Sequence, residues 1–380
     1  MSPSPPDSEP GNVKTHREGM MSHTGTKVSV VPVGDLSADQ LARWSDLQAS
    51  VPVLDSPCLA PEFVRSVAGA REGVEVAVLE DAAGRVGFFP FERGRGNVGY
   101  PVGRSYSDFQ AVIADPATEW DGLSLIRACG LSAWRFDHLL ADQQPLRVFH
   151  WAEAPSPYVD LSDGFEAYRA ERKRAGSSEI EKTLYNARKA ERRAGPLRLE
   201  LHTRDERVMA ALLRWKGDQF RASGQPNLLV LPWVARMLNR VLDVQTDAFS
   251  GLLSALYVGD TLAAVHLGMR SRTALHYWLP AYNPDLATLS PGQLCFLEIA
   301  KSVAATGVRR IDLGKGPEPY KMRLMSGNIQ VAEGAIHLRA HVGAVLRTQY
   351  RAVAWVRRSP LRHVLRAPGR WVRRVIANGG

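Results

Sequence analysis

Acid is missing where base is most concentrated. From Gly334 to Gly380 there are ten arginines and no aspartate, glutamate or lysine. The whole chain carries +9 at neutral pH, so the other residues stand near −1 and the basic character belongs to a tail. Cysteine is scarce too. Cys58, Cys129 and Cys295 lie far apart, with no CxxC and no Cys/His ligand spacing, which excludes a disulfide framework and a zinc site and makes a reducing cytoplasm the simplest home. No run approaches the ~18 apolar residues of a membrane span. The first 26 residues, rich in Ser, Pro, Gly and acid without an apolar core, read as a disordered leader rather than a signal peptide. The chain is therefore expected to be neither exported nor integral to a membrane. Nucleophile elbow, HExxH, Walker A and paired-carboxylate spacings are also absent, which removes the hydrolase, metalloprotease and nucleotide-hydrolysing classes.

What is present fills two ordinary domains. Lys27–Val33 reads as a strand, Ala38–Ala49 and Pro61–Ala70 as helices, and Val74–Glu80 with Val86–Phe91 as a hairpin across Asp81-Ala82-Ala83-Gly84. Gly94–Gly103 is a Gly-rich loop that could cradle a phosphate, but it lacks P-loop context and reads as a plain loop. Ala117–Gly130 reads as a helix, Ala133–Leu139 and Leu146–Trp151 as strands. A break follows at Ala154-Pro155-Ser156-Pro157. Tyr158–Leu161 is expected to be an entry strand, and Phe165–Arg193 a helix or helix pair with nine Lys or Arg among five glutamates, either a solvated face or a phosphate-contacting one. Strand, helix, helix and strand follow over Leu197–His202, Glu206–Ala222, Trp233–Val244 and Gly251–Val258. The organisation is a leader (1–26), a first unit (27–154), a second unit (155–338) and a basic tail (339–380).

The richest stretch is Thr261–Leu324. Thr261–Met269 and Thr273–Pro280 are β-rich runs parted by the turn Arg270-Ser271-Arg272, and Tyr282-Asn283-Pro284-Asp285 breaks the pattern. Ser290 is a candidate N-cap and Pro291 a candidate first helical residue, so a helix is expected from there to Gly307. Its N-terminus would offer backbone N–H groups at Gly292, Gln293 and Leu294 to a pyrophosphate or carboxylate, or be an ordinary helix start. The strand Arg309–Asp312 then leads to Gly314-Lys315-Gly316-Pro317-Glu318-Pro319-Tyr320-Lys321.

The run from His266 to Leu324 resembles the C-terminal half of the CelD-type acetyltransferases, a branch of the GNAT superfamily found near cellulose and exopolysaccharide genes. Ser290-Pro291-Gly292, Asp312, Gly314, Gly316 and Glu318-Pro319-Tyr320-Lys321 carry the likeness, and Tyr106-Ser107-Asp108-Phe109-Gln110 and Ser56-Pro57-Cys58-Leu59 extend it upstream. The chain departs at Asn283, where that family usually has aspartate. The resemblance implies an α+β fold of tandem GNAT-like units, with mixed central sheets flanked by helices and a first unit that is either intact or degenerate. It implies an N-acyltransferase that uses acetyl-CoA or another acyl-CoA, without a metal, on a small-molecule or envelope-precursor amine. It also implies a strand that splays from its neighbour before the cofactor helix; Pro280, which cannot donate to a ladder, suits that place. Tyr320 would protonate the leaving thiolate. His266, Asp312 and Glu318 compete as general base. Ser290, Gly292, Gln293, Leu294 and Lys321 would hold the donor, with Lys315 a weaker candidate for phosphate.

Two other readings stand beside this one. A FemABX-like transferase would take its acyl group from aminoacyl-tRNA, with the basic helix over 169–193 on RNA phosphates; a silent GNAT scaffold would only tether partners. In the tail, Val342, Val345, Leu346, Val353 and Val356 fall near one helical face, with Trp355 and Trp371 beside the arginines. That pattern suits either an anionic membrane surface at the inner face of the cell membrane or a helix packed on the body. No nucleic-acid-reading motif accompanies the charge.

Overall fold

The computed structural model describes residues 17–21, 25–316 and 318–358. The chain opens with β1 (Arg17–Met21), β2 (Lys27–Pro32), α1 (Ala38–Ser50), α2 (Pro61–Ala68) and the hairpin β3 (Val74–Glu80) and β4 (Val86–Arg93). β5 (Val98–Tyr100), β6 (Ile113–Ala114), α3 (Gly122–Ala128), β7 (Ala133–Leu140) and β8 (His150–Asp160) follow. Next come α4 (Phe165–Arg174), α5 (Glu179–Ala194), β9 (Leu197–Glu200), α6 (Glu206–Ala222) and α7 (Pro232–Asp243). A meander of β10 (Ser250–Val258), β11 (Thr261–Arg270) and β12 (Ala274–Tyr282) leads to α8 (Pro291–Ala304), β13 (Arg310–Asp312), α9 (Pro319–Leu324), β14 (Gly327–His337) and α10 (Ala340–Arg358).

One mixed sheet runs through the molecule in the order β1-β2-β3-β4-β5-β7-β14-β8-β13-β12-β11-β10-β9, with β6 paired to β4. Only β5–β7 and β12–β13 are parallel among the described strands. Helices cover both faces. Trp44 and Phe63 of α1 and α2 share a core with Trp215, Val234 and Met237 of α6 and α7, so this face is continuous along both halves of the sheet. On the other face α3 packs over β2, β3, β7 and β14, and α4, α5 and α8 over β10–β13. Local chemistry supports these elements. Ser37 and Gln40 form a reciprocal capping box on α1, worth about 1 kcal/mol. The fully buried Trp44 donates its Nε1–H to the Leu59 carbonyl at 2.8 Å.

Five sequence expectations change. Part of the stretch read as a disordered leader, Arg17–Met21, forms β1 and pairs antiparallel with β2. The helix expected over Ala117–Gly130 is confined to Gly122–Ala128, because Asp121 accepts from Ser124 N at 2.7 Å and caps it there. Leu146–Trp151 is a 3₁₀ turn over Gln144–Phe149 before β8 begins. Ala154-Pro155-Ser156-Pro157 lies inside β8. Both prolines are tolerated because they face away from β14: Tyr158 O accepts from Ser326 N on the β14 side and Pro157 O from Leu313 N on the other, where β13 spans only three residues. The Gly94–Gly103 loop folds around an anion of the chain itself. Buried Glu92 receives the Gly103 N–H at 2.8 Å and pairs with Arg104 at 2.7 Å and Arg71 at 3.3 Å.

Candidate active site

The parallel pairing of β12 with β13 lasts three residues, Ala274–Arg310, Leu275–Ile311 and His276–Asp312. Beyond it the strands part, since Leu313 N–H bonds to Pro157 O of β8 instead. A bulge falls at the same place. Met269 faces His276 and Leu267 faces Leu279, so two steps on β11 are matched by three on β12. The extra residue reverses the side-chain alternation: Leu275 and Tyr277 pack under α8, whereas Leu279 and Ala281 pack under α6. It also turns Pro280 towards the gap. Lys216 Nζ donates to the Pro280 carbonyl at 3.1 Å, and a residue without an N–H leaves no orphan donor there.

The parting strands open a cavity of about 440 Å³. Tyr277, Pro280 and Phe296 form its apolar wall, Ser290, Gly292 and Gln293 its rim at the start of α8, and Lys216 and Tyr320 its polar groups. Pro291 occupies the first turn of α8 as expected. Ser290 does not cap through its side chain. It is left-handed, at φ 55°, and its carbonyl accepts from Gln293 N at 3.0 Å and Leu294 N at 3.2 Å. The capping side chain sits earlier: Asn283 Oδ1 accepts from Asp285 N at 3.0 Å and starts the turn that delivers Ser290. The Gln293 amide donates to buried Glu179 at 2.5 Å, and Glu179 also pairs with Arg323 at 2.7 Å, fixing the rim to α5. Leu294 is buried in the core beneath.

The electrostatics separate the candidates. Burial, with the Glu318 charge adding to it, pushes the Tyr320 hydroxyl up to about 12. Desolvation, helped by the Lys321 charge and opposed by Glu318, brings the Lys216 ammonium down to about 8. Asp312 is buried and paired with Arg310 Nε at 2.8 Å, and Arg310 also donates to Asp55 O at 2.7 Å, so this carboxylate buckles β13 to the 52–55 turn. His266 is fully buried behind Tyr277, stacked on it at 4.1 Å, and burial depresses it to about 3. Glu318 is half-exposed and pairs with Lys321 at 3.1 Å. Lys321 spends its ammonium on the Gly314 and Lys315 carbonyls at 3.2 Å each, and Lys315 donates to Asp137 O.

Ser290, Gly292, Gln293 and Tyr320 thus meet in one cavity, whereas Leu294, Asp312, His266, Glu318 and Lys321 do not line it. Sequence reasoning missed Lys216. Its signal was present: Val208, Leu212 and Lys216 follow at i, i+4 and i+8 along the apolar stripe of α6, a costly place for a lysine that only packs. Among the described residues no group of three or more His, Cys, Asp or Glu is placed to hold a metal, and no helix is long and apolar enough to cross a membrane.

Residues 178–322 match a family model described as an acetyltransferase (GNAT) domain. No curated protein matches the chain. Among solved structures it is similar to FemX (8% identity, 81% of this chain and 98% of that one, TM-score 0.52). It is also similar to the C-terminal domain of a putative lysylphosphatidylglycerol synthetase from Agrobacterium fabrum (13%, 81% and 94%, TM-score 0.50). A tandem GNAT protein from the clavulanic acid biosynthesis pathway aligns at 12% identity over 82% of this chain and 98% of that one, with a TM-score of 0.45. At these identities the likeness to the first two is one of fold. A large mixed sheet flanked by helices, as expected from the sequence, is what they share.

Proposed function

We propose that the chain is an N-acyltransferase that moves an acyl group, in the simplest case acetyl, from an acyl-CoA to an amine. The observation that carries this reading is the parting of β12 from β13 into a cavity that ends at the first turn of α8, within the segment matching the acetyltransferase domain. A helix start favours a pyrophosphate through its partial positive charge; with the Gln293 and Leu294 N–H groups taken by the Ser290 carbonyl, Gly292 N–H is the rim donor left to meet one. A Cβ at Gly292 would meet nothing nearer than Tyr282 Cδ1 at 3.5 Å, so the backbone there is open to approach. The donor supplies an activated thioester; the protein supplies position and proton management.

In the slot the amine nitrogen forms the new C–N bond, the C–S bond breaks, and the thiolate needs a proton. An ordinary thiol titrates near about 8.5, so transfer from Lys216 at about 8 is close to thermoneutral. From Tyr320 at about 12 it runs uphill by roughly 5 kcal/mol. Lys216 is therefore assigned the proton and Tyr320 a hydrogen bond to the sulfur or the developing oxyanion. The CelD-type resemblance over 266–324 supports an amino-sugar or envelope-precursor acceptor. Calorimetric titration with acetyl-CoA, longer acyl-CoAs and charged tRNA tests the donor. Micromolar acyl-CoA binding supports the proposal; charged-tRNA binding without acyl-CoA binding replaces it with aminoacyl transfer.

A further inference from the structure

Outside the cavity, a cluster of titratable side chains unused by this mechanism lies on the other face of β12. It alternates acid and imidazole. Asp137 Oδ1 stands 3.0 Å from His138 Nδ1, His138 Nε2 3.7 Å from Asp108 Oδ1, and Asp108 Oδ2 3.0 Å from His276 Nε2. The line starts at half-exposed Asp137, passes His138 and Asp108 at 14% and 23% exposure, and ends at His276 at 0%. His276 is the last β12 residue paired to β13 and directly precedes Tyr277 in the cavity wall.

The inner end is unsatisfied. His276 Nδ1 and both ring nitrogens of His266 are buried without hydrogen-bond partners. The contacts at His276 Nε2 and His138 Nδ1 are close in distance but not aligned as hydrogen bonds. Buried orphan nitrogens are uncommon, and a line of them calls for a purpose. The surroundings hold the centre ionised. Burial works against the Asp108 carboxylate, yet His276 3.0 Å away, then the charges of His138 and Lys321, outweigh it and keep the group at about 2. Cys58 faces the same carboxylate, and its thiol is pushed to about 12 by burial and by the Asp108 charge. Lys315 faces Asp137, and Lys216 and His276 face His266. Gly314 leaves room for the pair: a Cβ there would stand 2.9 Å from Asp108 Oδ2.

We infer that Asp137, His138, Asp108 and His276 form a proton relay from the apex of the slot to solvent, contributed largely by the N-terminal half. The inference rests on the acyltransferase reading. An amine that arrives as ammonium gives amide, free thiol and one proton, and that proton must leave a slot walled by Tyr277 and Phe296. The four relay residues are positioning and proton-carrying groups; none touches the thioester.

The test is kcat/KM of Asp108→Asn and His138→Gln from pH 6 to 9, in dilute buffer and with added imidazole, beside calorimetric acyl-CoA affinity. Expected is a loss on the order of tenfold to a hundredfold in dilute buffer. Imidazole should recover most of it, with acyl-CoA affinity unchanged. A deficit indifferent to pH and buffer would mark a structural role and overturn the relay. Should Asp108→Asn fail to fold, His138→Gln must show the same buffer-dependent deficit, and its absence overturns the relay too. Loss of acyl-CoA binding by the wild-type protein would strike the function reading instead. The relay, which rests on that reading, falls with it.

Discussion

Replacing Lys216 by Met should make the protein more stable and less active at once. Lys216 titrates near 8 in the fold against an ordinary value of 10.5, a difference worth about 3 kcal/mol. The direction follows from which state binds the proton more tightly. Below pH 8 both folded and unfolded chains are protonated, and the fold carries the whole penalty of holding a charge in the cavity. Between pH 8 and 10.5 the folded chain gives up its proton first and the penalty fades. Methionine, similar in volume, removes the penalty but also the bond to Pro280 O, worth about 1 kcal/mol. The variant should therefore gain about 2 kcal/mol at pH 7. It should lose about 1 kcal/mol by pH 10.5, with the sign reversing in between. Urea unfolding followed by tryptophan fluorescence across that range measures it, and acyl transfer at pH 7.5 should fall by at least tenfold. A Lys216→Met protein less stable than wild type at pH 7, or a difference that does not move with pH, would refute the argument.

Gly292→Asp should leave the fold intact or slightly firmer, because a carboxylate suits a helix start, while CoA affinity measured by calorimetry drops at least about tenfold; unchanged affinity would remove the pyrophosphate from this rim. Tyr320→Phe should lower kcat with little change in donor KM, and the reverse pattern would make Tyr320 a binding group. Asp312→Asn should cost about 3 kcal/mol in urea unfolding by stranding Arg310, without shifting the pH–rate profile; a shifted profile would restore Asp312 as a base. Removing residues 359–380 takes five of the tail's ten arginines and Trp371, each charge worth about 1 kcal/mol at an anionic leaflet. Sedimentation with anionic vesicles at low salt should weaken while transfer to a soluble acceptor continues, and equal sedimentation would deny the tail a membrane role.

Local signals carried the reading of the sequence furthest. Pro291 at a first helical turn, the Arg270-Ser271-Arg272 turn and the β-rich run after it are each decided within a few residues, and they placed Ser290, Gly292, Gln293 and Tyr320 around one cavity. Ser290 shows where locality ends: its side chain is a good cap, but the turn begun by Asn283 delivers it left-handed, and backbone geometry decided its role. Asp312 read as a site-mouth acid because its partner Arg310 also serves the distant 52–55 turn, a contact no spacing discloses. The same holds for Asp108 and His276, which meet only after two halves of the chain pack. On α10 Val342, Leu346 and Val353 of the apolar stripe are half-buried and Arg347 donates to His150 O, so this side of the helix packs on the body, whereas Val345 and Trp355 are exposed. Val356 and Trp371 lie outside the residues whose side chains are described.

The position of β14 sets a condition on synthesis. It is inserted between β7 and β8, pairing with Leu140–Ala133 on one side and Tyr158–His150 on the other. Until residue 337 has left the ribosome, β7 and β8 each present an unpaired ladder edge, the kind of surface that captures other strands. Some 170 residues separate β8 from the strand that covers it, so closing this seam is a late, slow event that local structure cannot anticipate. Nascent chains stalled before Gly327 should therefore be rich in chaperone contacts and protease cuts around residues 133–160, and those stalled well past His337 should lose both together.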